Sequence, residues 1–236
     1  EVAPIDKDTI TLLDENGQPA ASVVAKSPEG KEIGTFTVDK DTGVVTFTPT
    51  DKAYSGDVVP VKVQAADTNG TTVETTYTPK ITPVVPTAED VTSTDIQGKT
   101  QTGKPKFTAG NSRVPMNDDV AATFDDGSST KTVDGVGTYT VAADGTVTFV
   151  PEPSFTGTAP AVTVVREDMN GTKASATYTP SVTPITITPT DKVSEDVQNV
   201  PQTQTPTFDL SNDKTAEITS KKLVDPATGQ PTDETT

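Results

Sequence analysis

GTYTVAADGTVTFVP, from Gly137 to Pro151, consists of two short alternating segments separated by Asp144-Gly145. Asp-Gly between two such segments is a strong hairpin signal, because glycine readily adopts the positive φ that a tight turn needs. Strand side chains alternate between two faces, so the pattern predicts a hairpin with one apolar face and one threonine face. The apolar positions are Tyr139, Val141, Val147 and Phe149, and the threonines are Thr138, Thr140, Thr146 and Thr148.

A near copy of this hairpin, GTFTVDKDTGVVTFTP, runs from Gly34 to Pro49, about 102 residues upstream. It shows the same alternation of apolar residues and threonines. The apolar positions are Phe36, Val38, Val45 and Phe47, and the threonines are Thr35, Thr37, Thr46 and Thr48. The hairpin is therefore predicted to be one part of a repeating unit.

Further segments repeat at an offset of 101 residues. They are DTNG (67–70) with DMNG (168–171), TYTPKITP (76–83) with TYTPSVTP (177–184), and QTGKPKF (101–107) with QTQTPTF (202–208). A period of this length holds a whole domain, whereas the repeats of a solenoid are shorter and share one core. The sequence therefore predicts a string of similar domains.

The period predicts three copies of unequal completeness. Residues 1–86 form a first repeat that lacks its opening strands, 87–186 form a complete repeat, and 187–236 form the opening part of a third. We call these the first, complete and third copies. Because the third copy carries the strands that the first copy lacks, the tail of one molecule could complete the head of the next. Unpaired strand edges favour such exchange.

Short strands divided by glycine, asparagine and aspartate, without helical periodicity, indicate an antiparallel β-sandwich. We expect seven to nine strands in the complete copy, and a second hairpin at Asn170-Gly171. The predicted strands include Val91–Ile96, Ala121–Phe124, Lys131–Val133, the two hairpin arms, Val162–Arg166 and Lys173–Thr179. The fold class is therefore all-β, with tandem Ig-like repeats of about 100 residues. Prolines between the copies favour an extended, end-to-end arrangement.

Composition limits the function. The 236 residues are 31% hydrophobic with a net charge of −16, but threonine, a strand former, makes up about a fifth of them. We therefore predict thin-cored β domains and no disordered tail.

Cysteine and histidine are absent, which excludes disulfides and zinc sites of the usual kind. The acidic charge argues against nucleic acid, and no apolar run is long enough for membrane insertion. The sequence is expected to be an internal fragment of an extracellular protein.

The repeat resembles the CshA-type fibril repeat of streptococcal cell-wall-anchored surface adhesins. The resemblance lies in residues 92–110, 114–133, 137–151, 152–172 and 177–184, in their order and spacing. The first copy departs most from it, with KSPEGKEI at 26–33 before its hairpin. The resemblance implies a secreted, wall-attached surface fibril of a Gram-positive bacterium, with roles in adhesion, biofilm formation and virulence. It also implies that adhesion depends mainly on a non-repetitive tip outside this sequence.

Acidic clusters raise the possibility of calcium binding, since carboxylates suit a hard cation. The clusters are Asp39 with Asp41, Asp118 with Asp119, and Asp125 with Asp126. The complete calcium-loop pattern is absent, and aspartate is also a common turn residue. We interpret these residues as structural and assign no metal or cofactor.

Three other functions are weighed against the residues present. The sequence contains no histidine or cysteine that could act as a catalytic base or nucleophile, so no catalytic residue is assigned. A carbohydrate-binding platform would be built from exposed aromatic side chains. The sequence has no tryptophan, and its tyrosines fall at apolar positions where core packing is expected. Tyr77 and Tyr178 could also form hydrogen bonds across the sandwich. A Lys–Asn isopeptide crosslink needs a buried lysine, whereas the lysines here lie beside turns.

The sequence therefore predicts a non-enzymatic structural stalk of a bacterial surface fibrillar adhesin, which projects a binding tip from the cell wall. The expected partners are neighbouring repeats, and host matrix proteins or other bacteria through regions outside this fragment. One alternative is that the repeats themselves bind a host matrix protein or polysaccharide. A third interpretation is a spacer made rigid by calcium.

Overall fold

The hairpin predicted at Gly137–Pro151 is present in the computed structural model, which describes residues 3–210, 217–218 and 221–232. Gly137–Val141 pairs antiparallel with Val147–Pro151. The connecting loop is closed around Gly145, whose φ is +88°. All four predicted apolar side chains are buried: Tyr139, Val141, Val147 and Phe149. The predicted apolar face is confirmed.

The described residues form strands and no helix. Those up to residue 89 are β1 (Ile5–Leu13), β2 (Pro19–Ala20), β3 (Ser22–Lys26), β4 (Glu32–Val38), β5 (Val45–Pro49), β6 (Gly56–Asp57), β7 (Val61–Asp67), β8 (Thr72–Tyr77), β9 (Lys80–Ile81) and β10 (Thr87–Glu89). The next are β11 (Val91–Ile96), β12 (Gln101–Gly103), β13 (Lys106–Thr108), β14 (Thr123–Phe124), β15 (Thr130–Val133), β16 (Gly137–Val141), β17 (Val147–Pro151), β18 (Gly157–Thr158), β19 (Val162–Glu167) and β20 (Lys173–Thr183). The last are β21 (Ile187–Thr190) and β22 (Thr207–Leu210).

The chain divides into two compact units. The first contains Glu1–Glu89, Lys106–Ala121 and Val165–Ser175. The second contains Asp90–Pro105, Ala122–Val164 and Ala176–Thr236.

In the first unit, the larger sheets have the orders β2-β1-β7-β8 and β3-β4-β5, and β6 pairs with β9. Their inward faces enclose a small core. Its buried members are Leu12, Ala25, Ile33, Phe36, Val58 and Val61. Burying side chains from two sheets against each other is the basis of a β-sandwich.

The complete copy has two sheets with the orders β11-β20-β19-β14 and β12-β17-β16-β15, and β18 also pairs with β20. The buried side chains include Tyr139 and Phe149, whose ring centroids lie 4.6 Å apart, together with Val164 and Tyr178. The predicted all-β fold of Ig-like sandwich repeats is therefore confirmed.

Two details differ from the sequence expectation. The complete copy contains eleven strands, β10 to β20, instead of seven to nine. Several of the strands have only two or three residues, which is too short to show alternation. In addition, β11 and β20 pair in parallel, with Val91 opposite Tyr178. An alternating pattern shows which face a side chain occupies but carries no information about the direction of the neighbouring strand.

The second predicted hairpin is confirmed, and it has the same geometry in both copies. The Asp168 amide donates to the Thr172 carbonyl at 3.0 Å, and the Asp67 amide donates to the Thr71 carbonyl at 3.0 Å. The glycines in these turns, Gly171 and Gly70, both have positive φ. Equivalent residues 101 positions apart therefore form equivalent turns.

Candidate functional site

The feature that most distinguishes one copy from another is the edge of its sandwich. In the complete copy, β11 lies outside β20 on one sheet and β12 lies outside β17 on the other. The residues between them form a short turn in which Lys99 donates to Ile96 and Gly98 has positive φ. One opening segment therefore contributes an outer strand to each of the two sheets.

A buried hydrogen-bond network connects this opening segment to the sandwich. The Ser93 hydroxyl lies 2.7 Å from the Tyr178 hydroxyl and donates to the Gln101 side-chain oxygen at 2.5 Å. The Gln101 side-chain nitrogen donates to the Ser181 carbonyl at 2.9 Å. Tyr178 and Gln101 are both buried. Buried polar groups need such partners, so the network favours one position of the segment.

Burial also affects the ionisation of two tyrosines. Loss of hydration on burial, together with a smaller effect of the nearby Tyr178, raises the pKa of Tyr139 to about 12. The pKa of Tyr178 is also raised by burial, although its hydrogen bond with Ser93 acts in the opposite direction. Both hydroxyls are therefore strongly held in the neutral form, which can donate a hydrogen bond, as Tyr139 does to the Pro160 carbonyl at 2.7 Å.

The first copy is open at the same position. Its sheets end at β8 and β5, the equivalents of β20 and β17, and among the described residues no strand pairs with their outer edges. Every residue of β8 is exposed, whereas buried and less buried residues alternate along β20. Within the described residues, β8 and β5 are therefore edge strands.

This open edge corrects one prediction. Tyr77 was expected to pack in a core, but 38% of its surface is exposed, whereas the equivalent Tyr178 is fully buried. Tyr77 retains an edge-to-face contact with Phe36, with ring centroids 6.0 Å apart. The alternating pattern identified the correct face of the strand but could not show whether another strand covers it. The Tyr178 hydroxyl contacts Ser93 on β11, the neighbouring strand of its own sheet, and not a residue across the sandwich as predicted.

The start of the third copy contains an opening segment like that of the complete copy. β21 and β22 pair with Thr188 opposite Asp209, which matches the pairing of Thr87 with Thr108 at an offset of 101. The residues between them form no strand, and 89% of Val193 is exposed. Within the described residues, β21 and β22 therefore form a separate two-stranded sheet. The rest of the predicted third copy lies partly outside the described residues.

The alternating pattern did not indicate the role of Ser93 and Gln101. A signal was available, because the equivalent positions at an offset of 101 are Ser194 and Gln202. In the structure the Ser194 hydroxyl lies 2.6 Å from the side-chain amide of Gln202. The same polar pair at the same spacing in two opening segments indicates a shared structural role.

The acidic clusters considered for calcium are engaged in local contacts. The Asp39 carboxylate accepts hydrogen bonds from the amides of Asp41 and Thr42, and the second of these is the main reason that its pKa is lowered. Asp118 accepts from Arg166 at 2.6 Å. Within the described part of the chain, no three acidic side chains are grouped around a position for a metal ion.

The third cluster forms ion pairs with a lysine. Lys131 lies 2.5 Å from Asp125 and 3.3 Å from Asp126, and its ammonium group is 5.5 Å from the centroid of the Phe124 ring. These contacts lower the pKa of Asp125, with the hydrogen bond from Lys131 as the main cause. The contact of Asp126 with Ser128 similarly lowers the pKa of Asp126. Asp119 shares its cluster with Asp118, and its backbone amide donates a hydrogen bond to the side-chain oxygen of Asn117.

The first unit contains open grooves. One has a volume of about 420 Å³ and is lined in part by Val24, Lys26 and Val59. Another has a volume of about 620 Å³ and is lined in part by Tyr54 and Arg113.

No lysine is among the buried side chains of the described residues, so an isopeptide crosslink would need an accessible lysine. The described residues also include no helix of the length and apolar character that a membrane span requires.

Comparison with solved structures gives matches of low similarity. Drosophila N-cadherin EC1-3 is 20% identical with a TM-score of 0.31, and the match covers 64% of this chain and 51% of that chain. Mouse cadherin-23 EC22-24 is 9% identical with a TM-score of 0.31, covering 75% and 53%. The fibronectin(III)-like modules of Clostridium thermocellum CbhA are 12% identical with a TM-score of 0.26, covering 78% and 81%. The chain spans about half the length of the two cadherin fragments.

No curated protein matches the chain. The family model of the surface adhesin CshA repetitive domain matches it twice, over residues 1–81 and 83–182. The ends of the two matched segments, at residues 81 and 182, are 101 residues apart. The chain therefore belongs to the family of the surface adhesin CshA repetitive domain.

Proposed function

We propose that the chain is a non-enzymatic stalk segment of a bacterial surface fibril, which projects a binding tip from the cell wall. The observation that carries the proposal is that sequence repetition is accompanied by repetition of structure. The hairpin pairs Gly34 with Pro49 in the first copy and Gly137 with Pro151 in the complete copy. A protein that repeats one complete domain gains length with each copy, and length is the property that a stalk provides.

The surface of the repeats suits this role. The outward threonines of the hairpins are partly or fully exposed, and the Thr138 hydroxyl lies 3.1 Å from that of Thr132 on the neighbouring strand β15. Many carboxylates lie in turns at the surface, and the net charge is −16. Like charges on neighbouring fibrils repel each other, which favours separate and soluble fibrils.

The same residues support a non-enzymatic role. Asp39, Asp125 and Asp126 have lowered pKa values and are therefore ionised at neutral pH, where they accept local hydrogen bonds. Tyr139 has a raised pKa and is held neutral. A general acid or base works best with a pKa near the working pH, and these shifts lead away from it. We further propose that the three predicted copies are arranged end to end.

Small-angle scattering tests the stalk. Each compact domain is roughly 35 Å across, so a rod of two to three domains should have a maximum dimension of about 70–100 Å. The measurement is made at several concentrations and extrapolated to zero, so that association between molecules does not lengthen the particle. A compact particle with a maximum dimension near that of one domain would overturn the end-to-end arrangement.

The alternative, in which the repeats themselves bind a host matrix protein or polysaccharide, predicts saturable binding by this chain alone. Surface plasmon resonance on immobilised matrix proteins and polysaccharides measures it directly. The matched control is Tyr77→Ser, which removes the most exposed aromatic side chain of the first copy. Submicromolar binding that this control abolishes would favour the alternative over a pure stalk, whereas no binding at high micromolar concentration supports the stalk.

A further inference from the structure

We propose that Asn16, Asn69 and Asn170 are sites of spontaneous deamidation, and that the aspartate two residues before each of them holds the reaction back. Each of these asparagines is followed by glycine, and they form the three Asn-Gly pairs of the sequence. The inference goes beyond the function of a stalk, because it concerns a covalent modification of the repeats and the residues that control its rate.

Deamidation at an Asn-Gly pair needs only water. The backbone nitrogen of the glycine loses its proton to hydroxide or water and attacks the side-chain carbonyl carbon of the asparagine. A C–N bond forms, and the side-chain amide group takes up a proton and leaves as ammonia. Water then opens the resulting succinimide ring at one of its two carbonyls, which gives aspartate or isoaspartate. The product carries one additional negative charge, and isoaspartate also adds a carbon atom to the main chain.

The three Asn-Gly pairs lie in turns of one geometry. The turns are formed by residues 14–18 between β1 and β2, residues 67–71 between β7 and β8, and residues 168–172 between β19 and β20. In each turn the amide of the first residue, an aspartate, donates to the carbonyl of the fifth, at 2.9, 3.0 and 3.0 Å. The glycines have φ values of +74°, +84° and +80°. The shared sequence therefore places all three asparagines in equivalent turns.

The nitrogen that would react is engaged in every one of these turns. The amide of each turn glycine donates to the carbonyl of the aspartate three residues before it, at 2.9 Å in all three turns. An amide that donates a hydrogen bond retains its proton, and the turn fixes the position of its nitrogen. The glycine becomes a nucleophile when the turn opens, so the rate of deamidation follows the population of the open turn.

The aspartate side chain keeps the turn closed. One oxygen of the Asp14 carboxylate accepts hydrogen bonds from the amides of Asn16 and Gln18, both at 2.8 Å. The aspartates of the other two turns accept the same pair of hydrogen bonds at 2.8–2.9 Å. One of the two amides belongs to the asparagine itself, so the carboxylate fixes the backbone of the reacting residue. Removing this side chain should free the glycine nitrogen without changing the Asn-Gly pair.

Peptide mapping of the full 236-residue chain by mass spectrometry tests the proposal. The chain is incubated for weeks at mildly alkaline pH, and the conversion of each asparagine is read from the mass difference between an amide and an acid. We expect slow conversion at the three Asn-Gly pairs and faster conversion in urea, where the turns are open. The other asparagines are followed by serine, aspartate or valine, whose side chains hinder ring closure, so they provide slow reference sites.

Asp14→Ala is the main test. Loss of the two hydrogen bonds of this side chain should accelerate the deamidation of Asn16 about five- to thirtyfold. Asn69 and Asn170 should react at their original rates in the same variant, so each molecule contains its own controls. Asp14→Asn is the conservative variant, because its side-chain oxygen can still accept both hydrogen bonds, and Asn16 should remain protected. Equal acceleration by the two substitutions would assign the protection to charge and overturn the proposal.

Asp168→Ala tests the same role in the complete copy. Because this substitution also weakens the copy as a whole, Gly103→Ala is its control: the added methyl group crowds the buried Tyr178 ring and destabilises the same copy away from the turn. Asp168→Ala should accelerate the deamidation of Asn170 more than Gly103→Ala does. Equal acceleration by the two substitutions would overturn the role of Asp168. An unchanged rate at Asn16 in Asp14→Ala, or equal rates in the folded chain and in urea, would overturn the proposal for all three sites.

Discussion

Gly103 lies directly against the ring of Tyr178, so closely that a Cβ on Gly103 would be 2.3 Å from two carbons of that ring. The backbone conformation of Gly103 is ordinary, with no positive φ, so space alone requires glycine here. The contact brings β12 of one sheet against β20 of the other and thereby closes the edge of the complete copy. The first copy has no equivalent of this contact among its described residues, and its tyrosine is partly exposed.

Gly103→Ala should destabilise the complete copy. The added methyl group would overlap the Tyr178 ring, which is buried and cannot move aside, and overpacking of this kind costs about 1–3 kcal/mol. Hydrogen exchange of the β20 amides measures this loss locally, without interference from the first copy. Thr102→Ala is the matched control, because Thr102 is exposed in the same strand and should change stability by less than about 0.5 kcal/mol. Equal effects of the two substitutions would show that the contact is not tight.

Tyr178→Phe and Tyr77→Phe form a second matched pair. The Tyr178 hydroxyl lies 2.7 Å from Ser93 in a buried network, so its removal should lower the free energy of unfolding of the complete copy by about 1–2 kcal/mol. The side chain of Tyr77 is partly exposed to water, and its substitution should have an effect below about 0.5 kcal/mol. Urea denaturation followed by tyrosine fluorescence can compare the two variants, since tryptophan is absent. A larger loss for Tyr77→Phe would contradict the assigned network.

The sequence was sufficient to predict features that depend on neighbouring residues. The hairpin turns at Gly145 and Gly171 were predicted because the positive φ of a tight turn selects glycine. Alternation placed Tyr139 and Phe149 on one face. The period of 101 residues then located the equivalent elements of the first copy.

Features that depend on distant residues could not be predicted in this way. Ser93 and Tyr178 are 85 residues apart in the chain, and their contact depends on a parallel pairing that alternation does not indicate. The exposure of Tyr77 has the same origin, because the pattern of a strand does not show whether another strand lies over it. Burial of Asp168 is a further example, since aspartate in a turn is usually exposed.

Asp168→Ala should lower the free energy of unfolding more than the equivalent substitution Asp67→Ala. In both turns the aspartate side chain accepts hydrogen bonds from two backbone amides, at 2.8–2.9 Å. Asp168 is fully buried, so water cannot replace the lost acceptor, and we expect a loss of about 1–3 kcal/mol. Asp67 is only partly buried, and its loss should be about 0.5–1 kcal/mol.

Asp168→Asn separates the hydrogen bonds from the charge. The asparagine side-chain oxygen can still accept from the two amides. The second carboxylate oxygen of Asp168 is buried and has no hydrogen-bond partner among the described residues, and in asparagine an amide nitrogen replaces it. The asparagine variant should therefore be more stable than the alanine variant. Thermal unfolding compares all three substitutions, and equal losses for Asp168→Ala and Asp67→Ala would contradict the role of burial.

The stability of the complete copy should decrease at alkaline pH. Burial raises the pKa of Tyr139 from 10.0 to about 12, and it also raises the pKa of Tyr178. A folded-state pKa above the unfolded value means that the folded state favours the neutral hydroxyl. The stabilisation of the folded state by this preference is therefore complete below pH 10 and is lost as the pH rises towards 12. For Tyr139 the loss is on the order of 2–3 kcal/mol, at about 1.4 kcal/mol for each pKa unit.

Tyr139→Phe is the control for this pH dependence. The substitution removes the hydroxyl and its hydrogen bond to the Pro160 carbonyl, so the variant should be less stable at pH 8 by about 1 kcal/mol. Its stability should then fall less steeply than that of the original chain between pH 10 and 12, because one titrating group is gone. Urea denaturation at pH 8, 10, 11 and 12 measures both slopes, and tyrosinate absorbance reports the ionisation itself. Parallel slopes for the two proteins would show that Tyr139 does not ionise on unfolding in this range.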